Sequence, residues 1–201
     1  MPGFELIGKE EYKEIQDLFE NSGILFRHGF DAMRNDIYKV RDFEKKFSKK
    51  LGVADSLAVS SGTAALKVAL EAIGVGKGDE VITQAFTFVA TVESIVEAGA
   101  KPVIANIDKT LNINPQDLEA KITNKTKAII VVHMLGIPSD MSSVMKIAKK
   151  HNLKVIEDTA WGCGGKYDDQ YLGTIGDLGT FSFDFAKTIT TGEGGMVIAK
   201  D

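Results

Sequence analysis

The sequence predicts an α/β fold: a mainly parallel seven-stranded sheet with helices on both faces and an antiparallel last strand. Three observations carry this. Short apolar runs alternate with stretches of helical periodicity, the pattern of βαβ units. The run at residues 127–133, Lys-Ala-Ile-Ile-Val-Val-His, is almost unbroken, as in a strand covered on both sides. Only the loop at 185–195 separates the last two apolar runs. It is too short for an ordinary helical crossover, so the final strand turns back on its neighbour.

Taken in order, residues 1–30 are expected to form an arm with a helix, and 31–201 the main domain. Phe43, Phe47 and Leu51 interleave with Lys45, Lys46, Lys49 and Lys50, which makes an amphipathic helix with a wet lysine face. The first strand, 57–60, ends in Ser-Ser-Gly-Thr, and 64–73 then carries helical periodicity. Gly74, Gly76 and Gly78 have some of the spacing of a dinucleotide fingerprint. They follow a helix and precede a strand, the reverse of what that motif needs, so they read as a C-cap and turn. Strands at 80–83 and 102–105 flank a helix at 86–98. The strand at 127–133 is followed by its helix at 141–151, and the strand at 154–158 ends in two carboxylates. Runs at 178–183 and 196–199 complete the sheet.

Composition excludes several classes of function. The 201 residues are 44% hydrophobic and 26% charged, enough for one sizeable core. A net charge of -4, without long like-charge blocks, leaves no electrostatic footprint for nucleic acid or an anionic membrane. No apolar run approaches the ~18 residues that span a bilayer, and the first residues lack a signal-peptide pattern, so a cytoplasmic protein is expected. The single cysteine, Cys163, excludes an internal disulfide and a multi-cysteine metal site. His28, His133 and His151 lack ligand spacing, and no metal site is expected.

Open parallel sheets bind ligands beyond the carboxyl ends of their strands, and five strand ends here carry suggestive residues. Ser61-Gly62-Thr63-Ala64 lies where a strand becomes a helix. Its backbone N–H groups and the positive helix end suit a phosphate dianion, although such turns also simply cap helices. Phe88 follows the second strand and suits either a planar ligand ring or the core. His133 follows the fourth. Asp158 ends the fifth, where a buried carboxylate needs a cationic partner unless it caps the next turn. Lys187 follows the sixth, with Ser182 on the entering strand. An apolar strand delivers this lysine into a loop of small and polar residues, and a lysine held against apolar surface can become the neutral amine that attacks an aldehyde. By itself it also reads as a surface lysine at a strand end.

Seven segments then appear in a telling order. They are Ser-Ser-Gly-Thr-Ala-Ala-Leu (60–66), Gly-Asp-Glu-Val-Ile-Thr (78–83), Phe-Thr-Phe-Val-Ala-Thr (86–91), Val-His-Met-Leu-Gly (132–136), Glu-Asp-Thr-Ala (157–160), Leu-Gly-Thr-Ile-Gly-Asp-Leu-Gly (172–179), and Phe-Ser-Phe through Gly-Gly-Met-Val (181–197). Together they resemble the DegT/DnrJ/StrS family of sugar aminotransferases, pyridoxal-phosphate (PLP) enzymes of the aspartate aminotransferase fold.

The resemblance implies that Lys187 carries the Schiff base and moves the substrate proton, while Asp158 pairs with the pyridine nitrogen and Phe88 stacks on the ring. Gly62, Thr63, Ala64 and Ser182 would hold the phosphate. It implies amino transfer from an amino acid, commonly glutamate, to a keto-sugar, in a homodimer serving polysaccharide or amino-sugar biosynthesis. Relatives that dehydrate sugars instead have histidine where this chain has Lys187.

Departures from the family pattern also matter. Trp161 replaces the usual Gln or His beside the cofactor's phenolic oxygen, and Leu135 and Ile137 suggest an altered sugar pocket. Arg27 or Arg34 is a candidate for a substrate carboxylate, as on an octulosonate in place of a nucleotide sugar. His133 and Glu193 are further candidates for substrate contact. At 201 residues the chain corresponds to an arm and the PLP-binding large domain, without the family's C-terminal small domain. A catalytically silent PLP-fold protein that binds or regulates, or a fragment with little activity, is the alternative reading.

Overall fold

The alternation of apolar runs closes into one seven-stranded sheet in the computed structural model, which describes residues 2–21 and 23–200. Met1, Ser22 and Asp201, which the expected division at 1–30 and 31–201 includes, lie outside the described residues. In chain order the elements are α1 (Lys9–Asn21), α2 (Lys39–Leu51), β1 (Asp55–Val59), α3 (Gly62–Ala72), β2 (Glu80–Gln84), α4 (Val89–Glu97), β3 (Lys101–Ala105), α5 (Pro115–Ala120), β4 (Thr126–Val132), α6 (Met141–His151), β5 (Lys154–Asp158), β6 (Lys166–Tyr167), β7 (Gln170–Tyr171), β8 (Leu178–Ser182) and β9 (Gly195–Ala199). The sheet runs β1-β9-β8-β5-β4-β2-β3. It is parallel from β8 to β3, and β9 is antiparallel to both β8 and β1, as the short loop before it requires. β6 and β7 form a separate two-stranded hairpin.

β4 explains why its sequence is apolar at nearly every position. Ala128, Ile130 and Val132 join Leu66 and Leu70 of α3 and Ile95 of α4, while Ile129 and Val131 join Leu118 of α5 and Val144 and Ile147 of α6. The pleat thus divides one strand between two hydrophobic layers. A third cluster lies under α2, whose Phe47 and Leu51 pack on Phe181, Phe183, Met196 and Ile198. The Phe47 ring meets that of Phe181 edge-on at 5.0 Å, an arrangement favoured by the ring quadrupole.

Helix ends follow their caps. Asp140 accepts the Ser143 N–H at 3.1 Å and starts α6, and Asn152, in the left-handed region, stops it. At the end of α3, the N–H of Val75 reaches the Leu70 carbonyl at 3.0 Å and that of Gly74 reaches Glu71 at 2.9 Å. This is the C-cap expected from the glycine order, and no nucleotide loop forms there.

Strand register assembles the site. Val59 of β1 and Ser182 of β8 both sit opposite Gly195 of β9, and Asp158 of β5 sits opposite Thr180 of β8. The α3 turn, Ser182, Asp158 and the Lys187 loop therefore share one sheet edge.

Candidate active site

A cavity of about 310 Å³ opens at that edge, lined among others by Ser61, Gly62, Thr63, Phe88, Asp158, Trp161, Ser182, Asp184, Lys187 and Glu193. Its size suits a small cofactor. α3 begins at the wall with Ser61 as N-cap. Ser61 Oγ accepts the Ala64 N–H at 3.1 Å, so Ala64 serves the cap, while the N–H groups of Gly62 and Thr63 belong to the first turn, which has no intrahelical acceptors for them. A Cβ on Gly62 would stand 2.8 Å from the Ser182 Cβ, so only glycine lets helix start and hydroxyl share this corner.

Asp158 lies at the floor, 5% exposed. Thr91 Oγ1 donates to its Oδ2 at 3.0 Å and the Ala160 N–H to its Oδ1 at 3.1 Å. Burial nevertheless dominates and pushes the carboxyl above its ordinary value of 3.8, against the pull of those two donors. Opposed to it in the cavity, the Lys187 Nζ sits 3.9 Å from the centroid of the Trp161 ring. Burial pulls this amine below its ordinary value, and Asp184 and Asp158 pull it back. Phe88 is 63% exposed at the mouth, which leaves a ring face free for a planar ligand.

A model of the DegT/DnrJ/EryC1/StrS aminotransferase family matches residues 30–201. The chain belongs to that family. The GDP-perosamine synthase of Escherichia coli O157:H7 is 48% identical over 163 residues, 81% of this chain and 45% of its own length. Spore coat polysaccharide biosynthesis protein SpsC of Bacillus subtilis strain 168 is 44% identical over 197 residues, 98% of this chain and 48% of its own. Spr1654 of Streptococcus pneumoniae, in its PLP form, superposes with a TM-score of 0.88 at 31% identity, over 97% of this chain and 51% of that one. Its PMP form superposes with the same score. The chain spans about half the length of the curated relatives it matches.

Within this family member, the residues expected from sequence divide cleanly. Gly62, Thr63, Phe88, Asp158, Trp161, Ser182, Lys187 and Glu193 line one cavity, whereas Ala64 does not line it and gives its N–H to the Ser61 cap. Three candidate substrate residues do not line it. His133 is fully buried: the Ser139 N–H donates to its Nδ1 at 3.2 Å, so Nε2 carries the hydrogen and donates to Glu157 at 2.9 Å. Arg27 forms an ion pair with Glu44 and lines a separate groove beside α2. Arg34 does not line the cavity either; it is 2% exposed and donates to the Phe26 carbonyl at 2.6 Å. Cys163, partly buried against the cluster under α2, has its thiol pushed up to about 11 by desolvation, which disfavours the nucleophilic thiolate.

Sequence reading missed Thr91 and Asp184. Thr91 shows itself only as a polar residue on the buried face of α4, four residues after Thr87, whose hydroxyl it meets at 2.8 Å.

The Asp158 carboxyl has a direct stability consequence. Its folded-state value lies above the unfolded one, so the folded chain holds the proton more tightly. Stability therefore falls as pH rises above about 3.8, and the penalty is complete once the folded carboxyl ionises. Asp158→Asn keeps an acceptor for the Ala160 N–H and removes the buried charge. It is expected to raise the melting temperature of the ligand-free protein at neutral pH, with the gain vanishing at about pH 3, where both chains are neutral at this position. An unchanged or lower melting temperature at neutral pH would contradict the buried-charge account.

Proposed function

We propose that this chain carries the cofactor-holding part of a PLP-dependent sugar aminotransferase, which moves an amino group from an amino acid, glutamate in the first instance, to a keto-sugar. The observation that carries the reading is the pairing of a buried carboxylate, Asp158, with a desolvated amine, Lys187, in one cavity that also contains a helix N-terminus. These residues fit pyridoxal phosphate. A pyridinium N–H would give Asp158 a cationic hydrogen-bond partner, the α3 turn with Ser182 suits the dianionic phosphate, and Phe88 offers a flat apolar face. Such a cofactor, when bound, supplies an electron sink for the carbanion that amino transfer requires.

The chain's own contributions follow from this geometry. Asp158 would hold the ring in its protonated form, and burial would make that ion pair stronger than it is in water. Lys187, with its neutral fraction increased by desolvation, acts as nucleophile and as carrier of the substrate proton. Trp161 shields the amine from water on one side. The names of the relatives favour a nucleotide-linked keto-sugar over an octulosonate, and with Arg27 paired to Glu44 the carboxylate-binding reading loses its anchor within this chain. A homodimer in the cytoplasm, built from the large domain at 31–201 and the arm before it, completes the proposal; among the described residues no helix is long and apolar enough to cross a membrane.

The test is an absorbance spectrum with added pyridoxal phosphate, then borohydride reduction and peptide mapping. A pyridoxyl mark on Lys187, in the peptide 181–195, is expected. A folded protein that takes up no mark would overturn the reading.

A further inference from the structure

The first residues, Pro2-Gly3-Phe4, lie against the reactive loop. The Gly3 N–H donates to the carbonyl of Lys187 itself at 2.7 Å, while the Lys187 N–H donates to the Asp184 carbonyl at 3.0 Å, so the peptide groups on both sides of this lysine are held. Gly3 is buried, and a Cβ there would stand 2.8 Å from the Thr188 carbonyl oxygen and 3.0 Å from that of Lys187. The contact is one that only glycine permits. Next to it, the Phe4 ring lies on Phe185 at 5.4 Å, tilted by 32°. Pro2 and Phe4 also form one wall of a groove whose other wall is Trp161, Ala186 and Thr188. The Lys187 loop is thus covered on its outer side by residues about 185 positions away in sequence.

We propose that residues 2–4 are a strap that fixes the Lys187 loop, and that Gly3 and Phe4 are positioning residues for the Lys187 amine. The inference rests on the reading of Lys187 as the reactive amine. Two backbone hydrogen bonds and a ring contact hold the loop so that Nζ stays against the Trp161 face instead of swinging into water. The acidic groups around that amine are Asp184 in the same loop, Asp158 at the end of β5 and Glu193 on the cavity wall; Asp184 and then Asp158 favour the ammonium form. Only burial favours the neutral amine, and the strap acts on it by holding the loop in its buried position.

The test compares the wild-type chain with Gly3→Val, Phe4→Ala and Phe4→Tyr. The pH profile of Lys187 acetylation is measured on ligand-free protein by competitive labelling and peptide mapping, with circular dichroism to confirm folding. In Gly3→Val and Phe4→Ala the midpoint is expected to move up, so that the neutral fraction at neutral pH falls roughly threefold to tenfold, one pH unit being a factor of ten. Phe4→Tyr keeps the ring contact and is expected to match wild type. If Gly3→Val does not fold, Phe4→Ala decides, because its 43% exposed ring can be removed without opening the core. Folded variants with a wild-type midpoint would overturn the strap. Failure of wild type to take up pyridoxal would overturn the proposed function and leave this comparison intact.

Discussion

Lys187→Ala and Lys187→Arg are both expected to abolish the borohydride-stable pyridoxyl mark and to lower amino transfer by at least about 10²–10⁴-fold, the range lost with a positioned proton carrier. Arginine is the sharper probe. It keeps the cation over Trp161 and much of the volume, yet its guanidinium stays charged at any working pH and offers no amine lone pair. Alanine removes both the cation and the nucleophile, and opens room at the loop for a small exogenous amine. Partial recovery of transfer by methylamine in Lys187→Ala, with none in Lys187→Arg, would assign the lost rate to the amine itself. Cofactor binding should survive in both variants, because Asp158, Phe88 and the α3 turn do not depend on Lys187 for their positions. Equal transfer in wild type and Lys187→Arg would sink the assignment.

The fold was legible where a local signal was physically strong. Residues 154–158 and 141–151 coincide with β5 and α6: the first is an apolar strand bounded by polar residues, the second is capped at both ends. The helix expected at 86–98 is shorter, Val89–Glu97, because the chain bends through 85–87, Phe88 is extended and no side chain caps the helix start. As the extended N-cap, Phe88 stays outside the helix, at the cavity mouth. The β6–β7 hairpin escaped notice because its strands have two residues each. Its signal was the pair Asp168-Asp169, both at positive φ, between tyrosines that flank the turn.

The site residues divide for a related reason. Asp158 and Ser182 end their strands and Gly62 and Lys187 lie in the segments that follow β1 and β8, and strand order brings such ends together whatever the side chains do. His133 also follows a strand, but its ring turns inward to Glu157, a choice set by a partner 24 residues away. Arg27 is likewise captured by Glu44. Pairings of this kind lie in tertiary geometry, and no spacing in the sequence announces them.

Glu157 is the residue whose loss is expected to cost most in stability. It precedes Asp158 on β5, so the pleat sends its side chain to the opposite face, where it is fully buried. Its Oε1 accepts the N–H groups of Ile175 and Gly176, each at 2.7 Å. Its Oε2 accepts the Gly173 N–H at 2.9 Å and the His133 Nε2–H at 2.9 Å. Four donors from two loops thus converge on one carboxylate. Glu157→Ala would strand all four, and at about 1–3 kcal/mol for each buried donor left unpaired the nominal sum exceeds what single substitutions usually show. Relaxation and water entry reduce it, so a loss of about 4–5 kcal/mol is expected, or roughly 8–20 °C in melting temperature for a chain of this size. Glu157→Gln should lose less but still be clearly destabilised, because its amide NH₂ must face donors on one side. Urea unfolding of the three proteins measures this directly. A change under about 1 kcal/mol in Glu157→Ala would mean that the 173–176 turn and His133 find other partners, and that the wall behind Asp158 is held by packing alone.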